Sequence, residues 1–108
     1  WPDGIAEPYT NLSVAALRSA YARGFYPAWE HGQQTWSAPA ERMVLFIENF
    51  HIEPALRRRL ARRNFRVTFD QDFAAVVHAC AAAGAGRMDE ALIASFVAAF
   101  DAGLAHSV

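Results

Sequence analysis

Apolar and polar positions break this chain into short periodic blocks separated by proline, glycine and charged residues. Residues 1–10 hold Pro2, Asp3-Gly4 and Pro8, which predicts irregular, turn-rich backbone. Helical spacing follows, with Val14, Leu17, Ala20 and Tyr21 on one side of a helix running from about Val14 to Arg23. Thr10, Asn11 or Ser13 can cap its start, and Gly24 stands where a left-handed residue ends it. Phe25-Tyr26-Pro27-Ala28-Trp29 is an aromatic cluster around a proline that cannot continue the helix. His31-Gly32-Gln33-Gln34 reads as a polar turn and Thr35-Trp36-Ser37 as a short extended piece. Beyond Pro39, Met43 to Ile47 reads as a strand buried on both faces or a short apolar run.

The middle of the chain carries the strongest pattern. Pro54 opens a helix, because first-turn N–H groups have no intrahelical partner to lose. Good helix formers run on to Asn64, which accepts the left-handed conformation that ends a helix. Phe65, Val67 and Phe69 then alternate at period two, the mark of a strand with one buried face. Asp70 is placed as N-cap of a helix from about Gln71 to Ala83, on which Phe73, Val76, Val77 and Cys80 share a face. That spacing makes Cys80 a core thiol. Asp89 caps a last helix to about Ala102, with Leu92, Ile93, Phe96, Val97 and Phe100 inward. Gly103 ends it and Leu104 closes the cap. Ala105 to Val108 reads as the first residues of a strand, so a continuing, truncated domain is expected. Trp1 in place of an initiating Met suggests the same at the other end. The fold class is α+β.

Charge changes this picture in one place. The whole chain is near neutral, at −1, yet six of its ten basic residues lie between Arg57 and Arg66. All ten are arginine, and no acidic residue interrupts the run from Glu53 to Asp70. Leu56 and Leu60 form a narrow apolar stripe, while Arg57, Arg58, Arg59, Arg62 and Arg63 occupy the other faces and Arg66 lies just beyond. Guanidinium forks suit phosphate and stack on bases, so Arg58 and Arg62, one turn apart, can track a nucleic-acid backbone. A merely solvated helix face explains the same charges.

Other chemistry is sparse. An apolar fraction of 54% is ample for a core and argues against disorder. The single cysteine excludes an internal disulfide and gives no zinc cage. The four histidines stand in separate segments, none with a cysteine or acidic partner at metal-ligand spacing. No phosphate-binding glycine loop, nucleophile elbow or metalloprotease motif occurs, so no metal, no cofactor and no catalytic residue is assigned. No apolar run reaches the roughly 18 residues of a membrane span, and a soluble cytoplasmic protein is expected.

Several stretches in series resemble the bacterial leucyl/phenylalanyl-tRNA–protein transferases. Asn11-Leu12-Ser13 through Ala20-Tyr21, Gly24 and Tyr26-Pro27 is similar to that family's first helix and its "GIFPW" turn. Trp36-Ser37, Pro39 and Arg42 are similar to its "WWSP..R", and His51-Ile52 to Thr68 to its basic helix. Asp70 to Cys80-Ala81, and Gly103-Leu104-Ala105-His106-Ser107-Val108, complete the series. The resemblance implies a small N-terminal α+β domain over 1–64 and the beginning of an acetyltransferase-like (GNAT-type) domain over 65–108. It implies transfer of Leu or Phe from aminoacyl-tRNA to the N-terminal amine of proteins beginning with Lys or Arg, which marks them for degradation. It also implies tRNA contact by Arg57, Arg58, Arg62, Arg63 and Arg66, and acceptor-end contact by Trp29 and Trp36. The family's side-chain pocket and the groups assisting attack lie beyond Val108. Two departures from the family pattern matter: Tyr26-Pro27-Ala28-Trp29 stands where the family has Phe-Pro-Trp, so that tryptophan is displaced by one or absent, and Arg87 stands where the family has Trp between Thr and Ile. A non-catalytic RNA-binding module, or a structural fragment, is the competing expectation.

Overall fold

The computed structural model describes residues 7–8, 11–30, 32–84 and 87–108. Its elements are β1 (Glu7–Pro8), α1 (Val14–Ala22), β2 (Tyr26–Glu30), β3 (Gln33–Ser37), α2 (Pro54–Ala61), α3 (Phe73–Ala82) and α4 (Glu90–Asp101). A single 3-10 turn at Ile47–Asn49 separates β3 from α2. The fold is α+β.

Local chemistry sets the ends of α1 and α4 as expected. The Ser13 hydroxyl accepts from Ala16 N–H at 3.2 Å, and the Asp89 carboxylate accepts from Leu92 N–H at 2.8 Å. Each helix stops in a left-handed glycine, Gly24 at φ 84° and Gly103 at φ 73°. The two stops have the same hydrogen bonds. Gly24 N–H donates to Tyr21 O and Phe25 N–H to Ala20 O, while Gly103 N–H donates to Phe100 O and Leu104 N–H to Ala99 O. These are Schellman closures, which satisfy carbonyls the helix itself leaves open.

The core lies between these two helices. Leu17, Ala20 and Phe25 are buried with Leu92, Ile93 and Ala99 as α1 packs on α4 and on β2. The Ser95 hydroxyl, buried on α4, donates to Leu12 O just ahead of α1. On the far side of α4, Phe73 of α3 stacks on Phe100 with ring centroids 4.7 Å apart. The aromatic cluster after α1 forms a hairpin strand: β2 pairs antiparallel with β3, Trp29 opposite Gln34 and Pro27 opposite Trp36. β1 closes the other edge of β3. Gln33 and Gln34, expected in a turn, therefore belong to a strand, and His31 of that expected turn lies outside the described residues.

Several expectations are corrected. Met43 to Ile47 is not a buried strand: all five residues are exposed and none pairs in a ladder, Ile47 opening the 3-10 turn. Phe65 to Phe69 forms no ladder either, and Phe65, Val67 and Phe69 are 73%, 65% and 65% exposed. Alternation marks a side that suits burial, but a strand needs a neighbour to bond, and none among the described residues lies alongside. α2 ends at Ala61, with Arg63 and not Asn64 in the left-handed region at φ 51°. α3 is capped by Asp72, whose carboxylate accepts from Ala75 N–H, which frees Asp70 for another task. Cys80 is exposed, because the buried side of α3 is narrow and centred on Val77. Ala105 to Val108 makes no strand, although Ser107 is buried. The radius of gyration, 16.5 Å, exceeds the value of about 13 Å usual for a compact chain this long, as the unpacked middle requires.

Candidate nucleic-acid interface

Glu53 precedes α2 without a side-chain cap, and Pro54 supplies a pre-set first turn. Every residue of the helix is exposed, including Leu56 at 49% and Leu60 at 51%. Arg58 and Arg59 stand in its last turn, where cations are favoured by the helix dipole. Arg62 N–H closes on Arg58 O at 3.3 Å and Arg63 N–H on Leu60 O at 3.1 Å. Arg57, Arg58, Arg59, Arg62, Arg63 and Arg66 are all exposed, and none meets a carboxylate within ion-pair distance among the described residues. Unneutralised guanidinium groups on a projecting helix make a local positive field on a chain of net charge −1. Such a surface holds polyanions through charge-assisted hydrogen bonds.

The two tryptophans sit on the hairpin. Cross-strand pairing places Trp29, Gln34, Pro27 and Trp36 on one face, since opposite residues and next-but-one neighbours point the same way. Trp36 is half-buried and Trp29 is 39% exposed. The Arg87 guanidinium lies over the Trp29 ring, 4.6 Å from its centroid. Trp29, Gln34, Arg87, Met88 and Asp89 line an open cavity of about 280 Å³. Arg87 was not expected to join Trp29, because residues so far apart in sequence carry no spacing signal. Arg42 is a second such arginine: it donates to Gly24 O and lies over the Tyr26 ring at 5.6 Å, fixing the end of α1 to β2.

Asp70 joins the start of α3 to the last residues described. His106 Nδ1–H donates to Asp70 Oδ2 at 2.8 Å, and Ser107 N–H donates to Asp70 Oδ1 at 2.8 Å. Asp70 N–H donates in turn to Ser107 O at 3.0 Å. The hydrogen bond from His106, then that from Ser107, hold the Asp70 carboxyl below its ordinary 3.8, against a smaller opposing effect of burial. Asp70 adopts φ 55°, a left-handed conformation that aspartate tolerates better than most side chains. Helix capping was the simpler reading of this aspartate, and nothing in the local sequence points to residues 106 and 107.

Comparison with known proteins bears on these features together. Residues 44–108 match the family described as Leucyl/phenylalanyl-tRNA protein transferase. Leucyl/phenylalanyl-tRNA–protein transferases of Ectopseudomonas mendocina and Pseudomonas syringae are 45% and 40% identical to this chain, over 75% and 99% of its length. The enzyme of Oleidesulfovibrio alaskensis is 40% identical over 98% of the chain. These alignments cover 36%, 49% and 45% of the relatives, so the chain spans half or less of their length. Among the described residues no helix is long and apolar enough to cross a membrane. The arginine-bearing helix and the His106-Ser107 segment both fall within the matched region, and the chain belongs to the leucyl/phenylalanyl-tRNA protein transferase family.

Proposed function

We propose that this chain forms the tRNA-docking part of an aminoacyltransferase. The observation that carries the reading is the projecting α2 region, with exposed arginines at 57, 58, 59, 62, 63 and 66 and no acidic partner among the described residues. In this reading Arg57, Arg58, Arg62, Arg63 and Arg66 bind tRNA phosphates. The hairpin face of Trp29 and Trp36 receives the unpaired acceptor end, since aromatic faces and guanidinium planes stack on bases whatever their identity. The reaction served is aminolysis of an activated ester. The N-terminal amine of a protein beginning with Lys or Arg attacks the Leu or Phe ester carbon, a tetrahedral intermediate forms, and the ribose hydroxyl leaves. Residues 65–108 are the opening of an acetyltransferase-like domain in the same reading. A binding-only role is favoured by one observation: the Arg87 guanidinium stacks on Trp29, at a position where the resemblance implies a tryptophan.

tRNA binding across a salt series tests the proposal. Each phosphate contact contributes a slope of roughly −0.7 to −0.9 in log affinity against log salt. The Arg58→Glu, Arg62→Glu double variant should flatten the slope by about two such contacts. Identical slopes, or binding no better than background, would remove the RNA reading. Aminoacylated and uncharged tRNA bound equally, with no transfer, would leave the binding-only role.

A further inference from the structure

We propose that the Gln34 side-chain amide is a substrate-binding group of the cavity beside Trp29: its Nε2–H donates to a ring acceptor on the edge of the unpaired base that stacks on Trp29. This rests on the acceptor-end reading above and adds to it a residue that neither the arginine helix nor the two tryptophans supply. The ligand class is a flat heteroaromatic base with a hydrogen-bond acceptor on its edge.

Three observations carry it. Gln34 lines the cavity, and its Nε2 is shielded from solvent without a hydrogen-bond partner among the described residues. A shielded amide donor left alone is unfavourable, and a ligand that brings an acceptor removes that cost. Next, the strand register sets the donor beside the ring. Gln34 on β3 stands directly opposite Trp29 on β2, so both side chains leave the same face of the hairpin. A flat group over Trp29 therefore has its edge within reach of the amide. Last, the stacking place is already marked by a planar group, because the Arg87 guanidinium lies over the Trp29 ring at 4.6 Å from its centroid. Arg87 is exposed, and its long side chain can lift to the outer face of an entering base, which it then covers as a second flat surface. Other occupants fit less well. A cationic side chain brings donors only and leaves Nε2 unpaired. A lone phosphate has no ring to lay on Trp29, and it meets the Asp89 carboxylate in the same wall.

Binding of this chain to an RNA acceptor-stem hairpin with an unpaired 3′ end, intact or abasic at the last nucleotide, tests the proposal. Gln34→Leu should weaken binding of the intact hairpin roughly three- to tenfold and leave binding of the abasic hairpin unchanged. Gln34→Glu keeps the length of the side chain but removes the donor, and it should lose more on the intact hairpin than on the abasic one. Gln34→Leu should melt no lower than the parent, because it deletes a donor that has no partner. Equal losses on the two hairpins, or no loss on either, would overturn the assignment while the salt dependence set by α2 still stood. Displacement of the hairpin by a peptide beginning with arginine, with no dependence on the last base, would overturn it in favour of a cationic side chain. Binding of neither hairpin by the parent above background would remove this inference together with the RNA reading.

Discussion

Two regions of similar apolar content behave in opposite ways. α1, the hairpin and α4 bury Leu17, Phe25, Leu92 and Ile93, and their helix ends are closed by caps and left-handed glycines. Residues 43–69 carry Met43, Val44, Leu45, Phe46, Ile47, Phe65, Val67 and Phe69, all exposed. Hydrophobic pattern is therefore only half of a fold instruction. A helix satisfies its own backbone and needs one apolar face covered, so α1 and α4 can do this for each other. An extended segment needs hydrogen-bonding neighbours on its edge before its side chains count. Outside α2 and the 3-10 turn the middle region forms no ladder among the described residues, and it displays arginine, which suits a surface that meets something else.

The sharpest way to break this contrast is truncation on both sides of it. Leu17→Ala, at a position 1% exposed, should cost about 2–5 kcal/mol by denaturant unfolding. Val67→Ala, at 65% exposed, should stay within about 0.5 kcal/mol. Equal losses would mean that the middle region packs in solution. Next in size are the caps. Ser13→Ala and Asp89→Ala should each cost about 1 kcal/mol, and Ser13→Gly only a few tenths, because glycine opens the cap site to water.

A smaller effect concerns Asp70, at the junction of the two regions. Its carboxyl is depressed in the folded chain, so its contribution is complete above the unfolded value of 3.8 and is lost as pH falls through the lower folded value. The difference in melting temperature between the parent and Asp70→Asn should therefore be present at neutral pH. It should narrow as pH is taken below about 4. A difference that widened in acid would mean that His106 and Ser107 do not hold this carboxylate.

What was legible in the sequence follows the same division. The bounds of α1 and α4 were readable to within a residue or so because serine, aspartate and glycine act locally at helix ends. The arginine helix was readable because Pro54 and the run of charge are contiguous. Hidden were the features made by distant residues meeting: the stacking of Arg87 on Trp29, the link from Arg42 to Gly24, and the grip of Asp70 on His106 and Ser107. Asp70 and Asp72 are both plausible caps two residues apart, and only the occupation of Asp70 elsewhere decides between them. The exposure of Cys80 escaped for a related reason. Helical spacing tells which residues share a side, and the neighbours decide how wide a side is covered.

Arg63 holds φ 51°, where a β-carbon is unfavourable by about 1–2 kcal/mol and glycine is at ease. Arg63→Gly should for that reason make the protein harder to unfold and, in the same step, poorer at holding a polyanion. At this position robustness and recognition pull in opposite directions, and the chain has the residue that recognises.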